Sequence, residues 1–219
     1  VKAGYEEYAF HNVYHSIHRF CVVDMSNFYL DVTKDRVYSN LPGDQRRRAA
    51  QTVMYEALDA LMRLLTPVLS YTMEEVYSHM PKVSGSPASV QLLEMPAPEE
   101  QWRNPALEEK WDAILELREE ITAALEKARQ EKVIGHPLDA ALVVKASGAQ
   151  YDLLASVEQD LAAICIVSAC KLEQGEAEEL EVSVAAAAGE KCERCWIYSE
   201  QLNGEGLCPR CAAVMEKLK

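Results

Sequence analysis

Four of the seven cysteines lie in the last 28 residues as two pairs, Cys192-Glu-Arg-Cys195 and Cys208-Pro-Arg-Cys211, with twelve residues between them. A two-residue gap lets one tight knuckle aim two sulfurs at the same point. Soft thiolates suit zinc, which takes four ligands in a tetrahedron. The spacing therefore predicts one zinc held by Cys192, Cys195, Cys208 and Cys211, with Asn203-Gly-Glu-Gly206 turning the chain between the two arms. Four protein ligands leave no open position, so such a zinc is structural rather than hydrolytic. A module this small, with few core side chains, depends on its metal to fold. Two redox pairs or a disulfide hairpin are the competing possibilities, but no thioredoxin-type βαβ pattern precedes the motif. Cys21, Cys165 and Cys170 sit in apolar segments and read as small core residues.

Around the cysteines stand Lys191, Arg194, Trp196, Tyr198 and Arg210. Aromatic rings and arginines beside a knuckle suit stacking on unpaired bases and pairing with phosphates. Alternatively, Trp196 packs over the knuckle as part of a miniature core and the cations are merely solvated. A second basic cluster, Arg46, Arg47 and Arg48, opens a predicted helix. The helix dipole slightly disfavours cations there, which points to an anionic partner, and at most two of the three can face it. Lys34 and Arg36 flank Asp35 and either meet phosphate or close a surface turn. His11, His15 and His18 share a helical face, but no acidic ligand is evident beside them, and no catalytic acid–base set is recognisable.

The bulk properties constrain what these groups can do. The chain has 219 residues, 49% hydrophobic and 26% charged, which is ordinary globular composition. Its net charge of −13 argues against nonspecific coating of nucleic acid or an anionic membrane surface. The charge is uneven: residues 133–190 carry only Lys145 and Lys171 as bases against ten acids, whereas residues 191–219 carry five bases against four acids. The acidic segment is expected to face away from any polyanion and to act as a spacer that aims the cysteine module. The longest charge-free apolar stretch, Leu161–Cys170, has ten residues, half of the roughly 20 that a membrane span needs. No export signal is recognisable, so a reducing cytoplasm is expected. The chain starts at Val1, in what reads as mid-helix, and is expected to be a piece of a longer protein.

The elements that must position the cations and cysteines emerge from periodicity. Residues 5–24 read as a helix and residues 26–41 as a turn-rich stretch. Pro42-Gly-Asp44 makes a turn and a helix cap. A long helix is predicted over Gln45–Leu65 with Ala49, Val53, Ala57, Leu58, Leu61 and Leu65 buried. Thr66-Pro67 restarts the chain, and Thr72-Met-Glu-Glu75 fits a capping box. Residues 82–104, rich in Pro, Ser and Gly, form a linker. Asn104-Pro105 opens a long helix with Leu107, Trp111, Ile114, Ile121, Leu125 and Ala128 on its buried stripe, closed by Gly135. Beyond it Leu138–Lys145, Ala162–Leu172 and Leu180–Ala186 read as strands and Gln150–Leu161 as a helix. The expected organisation is mainly α: a helical bundle over 1–81, the linker 82–104, the long helix 105–135 completing the helical domain, a small α+β unit over 136–189, and the zinc-binding finger over 190–219.

Several of these segments, in this order, resemble the C-terminal region of bacterial isoleucyl-tRNA synthetases, of class I. Phe10-His-Asn-Val-Tyr14, Phe20-Cys21 and Ser26-Asn-Phe-Tyr-Leu-Asp31 resemble the entry into that family's helical anticodon-binding domain. Lys34-Asp-Arg-Val-Tyr38 and Leu64-Leu-Thr-Pro-Val-Leu-Ser-Tyr-Thr-Met-Glu-Glu-Val-Tyr77 resemble later segments of the same domain, and Glu131-Lys-Val-Ile-Gly135 the end of the long helix. Lys191-Cys-Glu-Arg-Cys-Trp196 with Cys208-Pro-Arg-Cys211 is similar to the terminal zinc finger, a type also resembling that of formamidopyrimidine-type DNA glycosylases. The chain has no nucleotide-binding fold, no His-x-Gly-His or Lys-Met-Ser-Lys-Ser signature and no room for an editing domain. The resemblance therefore implies a non-catalytic portion that binds the anticodon arm of an isoleucine-accepting tRNA; a monomer is the default expectation. ATP would be used only by a missing N-terminal catalytic domain of the same chain, and no membrane is involved. The residues expected to meet RNA are Lys34, Arg36, Arg46, Arg47, Arg48, Lys191, Arg194, Trp196 and Arg210. A free-standing protein-interaction module, or a zinc-ribbon nucleic-acid binder, is the alternative.

Overall fold

A computed structural model describes residues 1–177 and 179–219 and divides the chain into two compact units. The first comprises Val1–Leu30 and Pro42–Arg103. Helices α1 (Lys2–Glu6) and α2 (Phe10–Arg19) open it and bury Gly4, Val13 and Ile17. From Phe20 to Tyr29 the winding widens to a π-helix, which passes directly into α3 (Leu30–Ser39). The turn-rich expectation for residues 26–41 is thus corrected, since the segment stays helical as far as Ser39. Ser26, Asn27 and Asp31 favour turns through local hydrogen bonds, but burial of Val32, Thr33 and Ser39 overrides that preference.

Helix α4 (Gln45–Leu65) has the predicted bounds because Asp44 caps it, its carboxylate accepting the Arg47 N–H at 3.0 Å. Asp44→Ala is expected to cost about 1 kcal/mol, read as a lower urea midpoint with unchanged slope. The buried face differs from the predicted stripe. Val53 and Leu58 are 48% and 42% exposed, whereas Ala50 and Met62 are buried. Apolar residues ring this helix, so spacing alone does not select the inner face. Thr66 is the C-cap of α4 rather than the N-cap of a new helix. Its hydroxyl donates to the Met62 carbonyl, and Ser70 repeats the pattern onto Thr66, so α5 (Ser70–His79) begins before the supposed capping box. Part of the presumed linker is packed: Val90 is 1% exposed and shares a core with Met62, Met73, Tyr77 and Met80. Glu74 holds it there, accepting from the Ser89 hydroxyl and the Val90 N–H.

The second unit comprises Asp31–Leu41 and Asn104–Lys219. Asn104 caps α6 (Pro105–Gln130), accepting the Leu107 N–H at 3.1 Å, with Pro105 in the first turn. Ile114, Leu117, Ile121, Leu125 and Ala128 form its buried face; the stripe read from sequence omits Leu117 and includes Leu107, which is 48% exposed. A three-stranded sheet of order β2-β1-β3 comes next. Strand β1 (Ala140–Ala146) lies in the centre, parallel to β2 (Ala169–Gln174) and antiparallel to β3 (Glu181–Ala186). Ala140, Leu142, Val144 and Ala146 alternate inward and meet Leu117, Ile121, Leu125 and Ala128 of α6 in one core. The long helix therefore shares its core with the α+β unit.

The crossover from β1 to β2 holds two helices, α7 (Gly148–Ala155) and α8 (Glu158–Cys165), in place of the single helix and long strand that the sequence suggests. Ile166 takes the left-handed conformation (φ 58°) and reverses the chain, so only Ala169 onward is strand. A ten-residue apolar run suits either structure, and a left-handed isoleucine leaves no sequence signal. The finger comes last, with β4 (Glu190–Lys191) antiparallel to β5 (Tyr198–Ser199) and α9 (Pro209–Leu218) at its end. Gly189 (φ 85°) enters the hairpin so tightly that a Cβ there would stand 2.2 Å from the Ser199 carbonyl oxygen. The expected class, mainly α with a small α+β unit and a four-cysteine finger, is the observed one.

Candidate metal centre and nucleic-acid interface

The first knuckle turns at Cys192–Trp196, where the Trp196 N–H donates to the Cys192 carbonyl at 2.9 Å. Trp196 has φ 66°, an unusual conformation for an aromatic residue, and it comes directly after the second ligand. Asn203 orders the connecting turn, its side-chain oxygen accepting from the N–H groups of Glu205 and Leu207. The second knuckle is the start of a helix: Cys208 caps α9, Pro209 occupies its first turn, and Cys211 lies within that turn. All four sulfurs lie within 4.8 Å of one another. Cys195 and Cys208 are 3.8 Å apart, the edge of a tetrahedron whose centre is about 2.3 Å from each sulfur. Cys192 and Cys211 are fully buried. The donor set fits one structural zinc, with four thiolates filling its coordination sphere.

The environment separates the thiols. Burial opposes ionisation of Cys192, but backbone N–H groups of Cys195, Cys208 and Arg194 outweigh it and bring its pKa down to about 6. Burial pushes Cys195 and Cys211 upward. Cys192 thus sits where its surroundings favour the thiolate, the form in which all four cysteines would hold a metal.

The two knuckles share a further feature, an arginine before the second cysteine. Arg194 Nη1 donates to the Ser39 carbonyl at 2.6 Å and lies 3.7 Å from Cys211 Sγ, while its Nη2 reaches the Tyr38 carbonyl at 3.4 Å. Arg210 forms a bidentate pair with Asp35 at 2.5 and 2.7 Å. Arg36 is likewise paired, with Asp160 at 3.0 Å. These three residues, expected at the RNA, have their guanidinium groups on protein partners. The sequence holds no signal for this, since the partners lie more than 120 residues away.

The remaining candidates are placed differently. Trp196 is 58% exposed, and the Lys191 ammonium stands 5.2 Å from its ring centroid. Lys34 is exposed and pairs with Asp31. It borders a cavity of about 420 Å³ between α3, α6 and the end of α8, where Arg118, Arg129 and His136 also face. His136 Nδ1 accepts the Leu138 N–H at 3.1 Å, which leaves its proton on Nε2. Arg46 and Arg48 are exposed and Arg47 is half-buried, all in the first turn of α4. His11, His15 and His18 are exposed, with Tyr14 packed beside His15 and His18. Among the described residues the four cysteines are the one cluster able to hold a metal. Also among them, no helix is long and apolar enough to cross a membrane.

Two segments of the chain match known families. Residues 1–144 match the family described as the anticodon-binding domain of tRNA ligase, and residues 189–214 match the zinc finger found in FPG and IleRS. The chain is 50% identical over 229 residues to an isoleucine–tRNA ligase of Carboxydothermus hydrogenoformans, with all of this chain and 25% of the relative covered. It is 48% identical over 231 residues to that of Desulforamulus reducens, covering 99% of this chain and 25% of the relative. With the ligase of Syntrophotalea carbinolica identity is 44% over 228 residues, 98% and 24% being covered. The chain thus spans about a quarter of the length of these curated relatives. A helical region matched from its first residue and a four-thiolate finger at its end place the chain in the anticodon-binding domain family of tRNA ligases.

Proposed function

We propose that this chain is the tRNA-recognition portion of an isoleucine–tRNA ligase and holds the anticodon arm of an isoleucine-accepting tRNA. The observation that supports this most is the alignment of the whole chain, helical region and finger together, with isoleucine–tRNA ligases. ATP-dependent joining of isoleucine to tRNA belongs to the remaining three-quarters of such a ligase, in the cytoplasm, and the present residues bind without catalysing.

Anticodon bases are unpaired, so they can be stacked and hydrogen-bonded on their edges, while phosphate contacts set position. In this proposal the exposed indole of Trp196, with Lys191 beside it, stacks on a base. Arg46, Arg47, Arg48 and Lys34 meet phosphates. Lys34 has support from its setting, because cations outnumber the carboxylates Asp31 and Glu126 around the adjoining cavity. The acidic strands and helices of residues 133–190 turn away from the RNA. Arg36, Arg194 and Arg210 act through the protein contacts they already make.

The test is binding of the zinc-loaded protein to an isoleucine tRNA and to the same tRNA with a swapped anticodon, at two salt concentrations. The expected result is at least about tenfold tighter binding of the cognate anticodon, roughly 1.4 kcal/mol. Replacing Arg46 and Arg48 by glutamine should flatten the salt dependence by about 0.7 in log–log slope for each single-strand phosphate that is no longer neutralised. Equal affinity for the two tRNAs, with zinc bound and the fold intact, would refute anticodon recognition by this chain.

A further inference from the structure

Each knuckle has the form Cys-x-Arg-Cys, and the two arginines converge on one helix. Arg210, from the second knuckle, grips Asp35 through both terminal nitrogens. Arg194, from the first, donates to the carbonyls of Tyr38 and Ser39, which lie in the last turn of α3 and have no partner further along the helix. Asp35 and Ser39 are four residues apart and so share one face of α3. A guanidinium at a helix C-terminus also complements the dipole. Ser39 is 4% exposed, so this contact is sheltered from water. Arg194 touches the metal site as well, through Cys211 Sγ of the opposite knuckle.

Two separate loops can hold one helix only if they are fixed relative to each other. The knuckles are joined by the Glu193 N–H donating to the Gly206 carbonyl at 3.1 Å and the Cys208 N–H donating to Cys192 Sγ at 3.3 Å, and a shared metal would add four bonds to these. We infer that Arg194 and Arg210 are positioning residues through which zinc binding locks helix α3 onto the finger. The lock would fix Lys34, next to Asp35 on α3, relative to Lys191 and Trp196 beside the first knuckle. The lock itself stands on the protein contacts alone; its use in binding RNA rests on the function proposed above.

Linkage gives the lock two measurable sides. If zinc orders α3, contacts to α3 must tighten zinc by the same factor. Partners of metal ligands outside the coordination sphere are typically worth roughly 10–100-fold in metal affinity. Hydrogen exchange of residues 31–39 and zinc affinity by chelator competition are to be measured on the whole 219-residue chain. Chelation should speed exchange in 31–39 about tenfold or more while 140–146 stay protected. Arg210→Ala should speed it in the zinc-loaded protein and weaken zinc about tenfold. Asp35→Arg should do the same, and the reciprocal exchange Asp35→Arg with Arg210→Asp should restore slow exchange in 31–39, which a variant that merely fails to fold cannot do; zinc affinity is not expected to recover with it, because Arg210 also faces the ligand Cys195. Arg194→Met in the cobalt-loaded protein should move the sulfur-to-metal charge-transfer band to lower energy, because a thiolate without its hydrogen bond gives up electron density more readily.

Unchanged exchange in 31–39 on chelation would overturn the inference. So would failure of the reciprocal pair to recover slow exchange in 31–39. A rise in exchange shared equally by 140–146 would show general unfolding instead and would also overturn it. Weakened tRNA affinity in these variants would support the lock's use in binding RNA; unaltered affinity would leave the lock standing while removing its role in recognition.

Discussion

Removal of zinc is expected to unfold the finger, residues 189–219, while leaving the sheet core folded. Strands β4 and β5 have two residues each, and an isolated hairpin is marginal in water. Helix α9 has ten residues, below the roughly 12–15 at which isolated helices become even marginal. The core of the finger is built largely from ligands: Cys192, Cys208 and Cys211 surround Leu207, and the fourth ligand Cys195 packs partly against them with Leu202, Ala212 and Met215. Structural zinc in such modules supplies on the order of 10–16 kcal/mol, more than the few apolar contacts in this part of the chain provide. The sheet core draws on none of the four ligands. Hydrogen exchange after chelation should therefore show loss of protection in 190–218 and its retention in 140–146. Cys192→Ser or Cys211→Ser should reproduce this without a chelator, both positions being fully buried. Persistent protection of the finger in metal-free protein would refute the zinc-dependence.

The finger is the most legible part of the chain because its chemistry is local. Ligand type, a two-residue gap and an Asn-Gly turn are all written within twenty residues. The caps at Asp44 and Asn104 are legible for the same reason, each acting on an N–H three residues ahead. What escapes is set by partners distant in sequence. Periodicity finds that α4 is amphipathic, but Ala50 and Met62 are buried while Val53 and Leu58, three and four residues from them on the same faces, are exposed, so only the packing partners decide which positions are covered. The segment 26–39 has the composition of turns and the structure of a helix, because burial of Val32 and Thr33 outweighs local preference. Arg194 and Arg210 carry the same lesson into the site. Beside a knuckle an arginine suits RNA, and nothing nearby announces that its acceptor is on a helix some 155 or 175 residues earlier.

A large single-residue loss outside the finger is expected at Ile121. Its side chain is 1% exposed and lies in the core where α6 meets β1, among Leu117, Leu125, Leu142 and Val144. Truncation to alanine removes three carbons from a site walled by a helix and a sheet, neither of which can close the gap cheaply. Such substitutions cost about 2–5 kcal/mol, the upper part of the range applying where the walls are rigid. Leu107 sits on the same helix and belongs to the same stripe by spacing, yet it is 48% exposed. Leu107→Ala should therefore cost under about 1 kcal/mol, as surface substitutions usually do. Urea unfolding followed by hydrogen exchange in 140–146 distinguishes the two. Ile121→Ala should lower the midpoint for that strand sharply and Leu107→Ala should barely move it. Equal destabilisation at the two positions would mean that the first turns of α6 are packed as tightly as its centre, and the assignment of its buried face would have to be withdrawn.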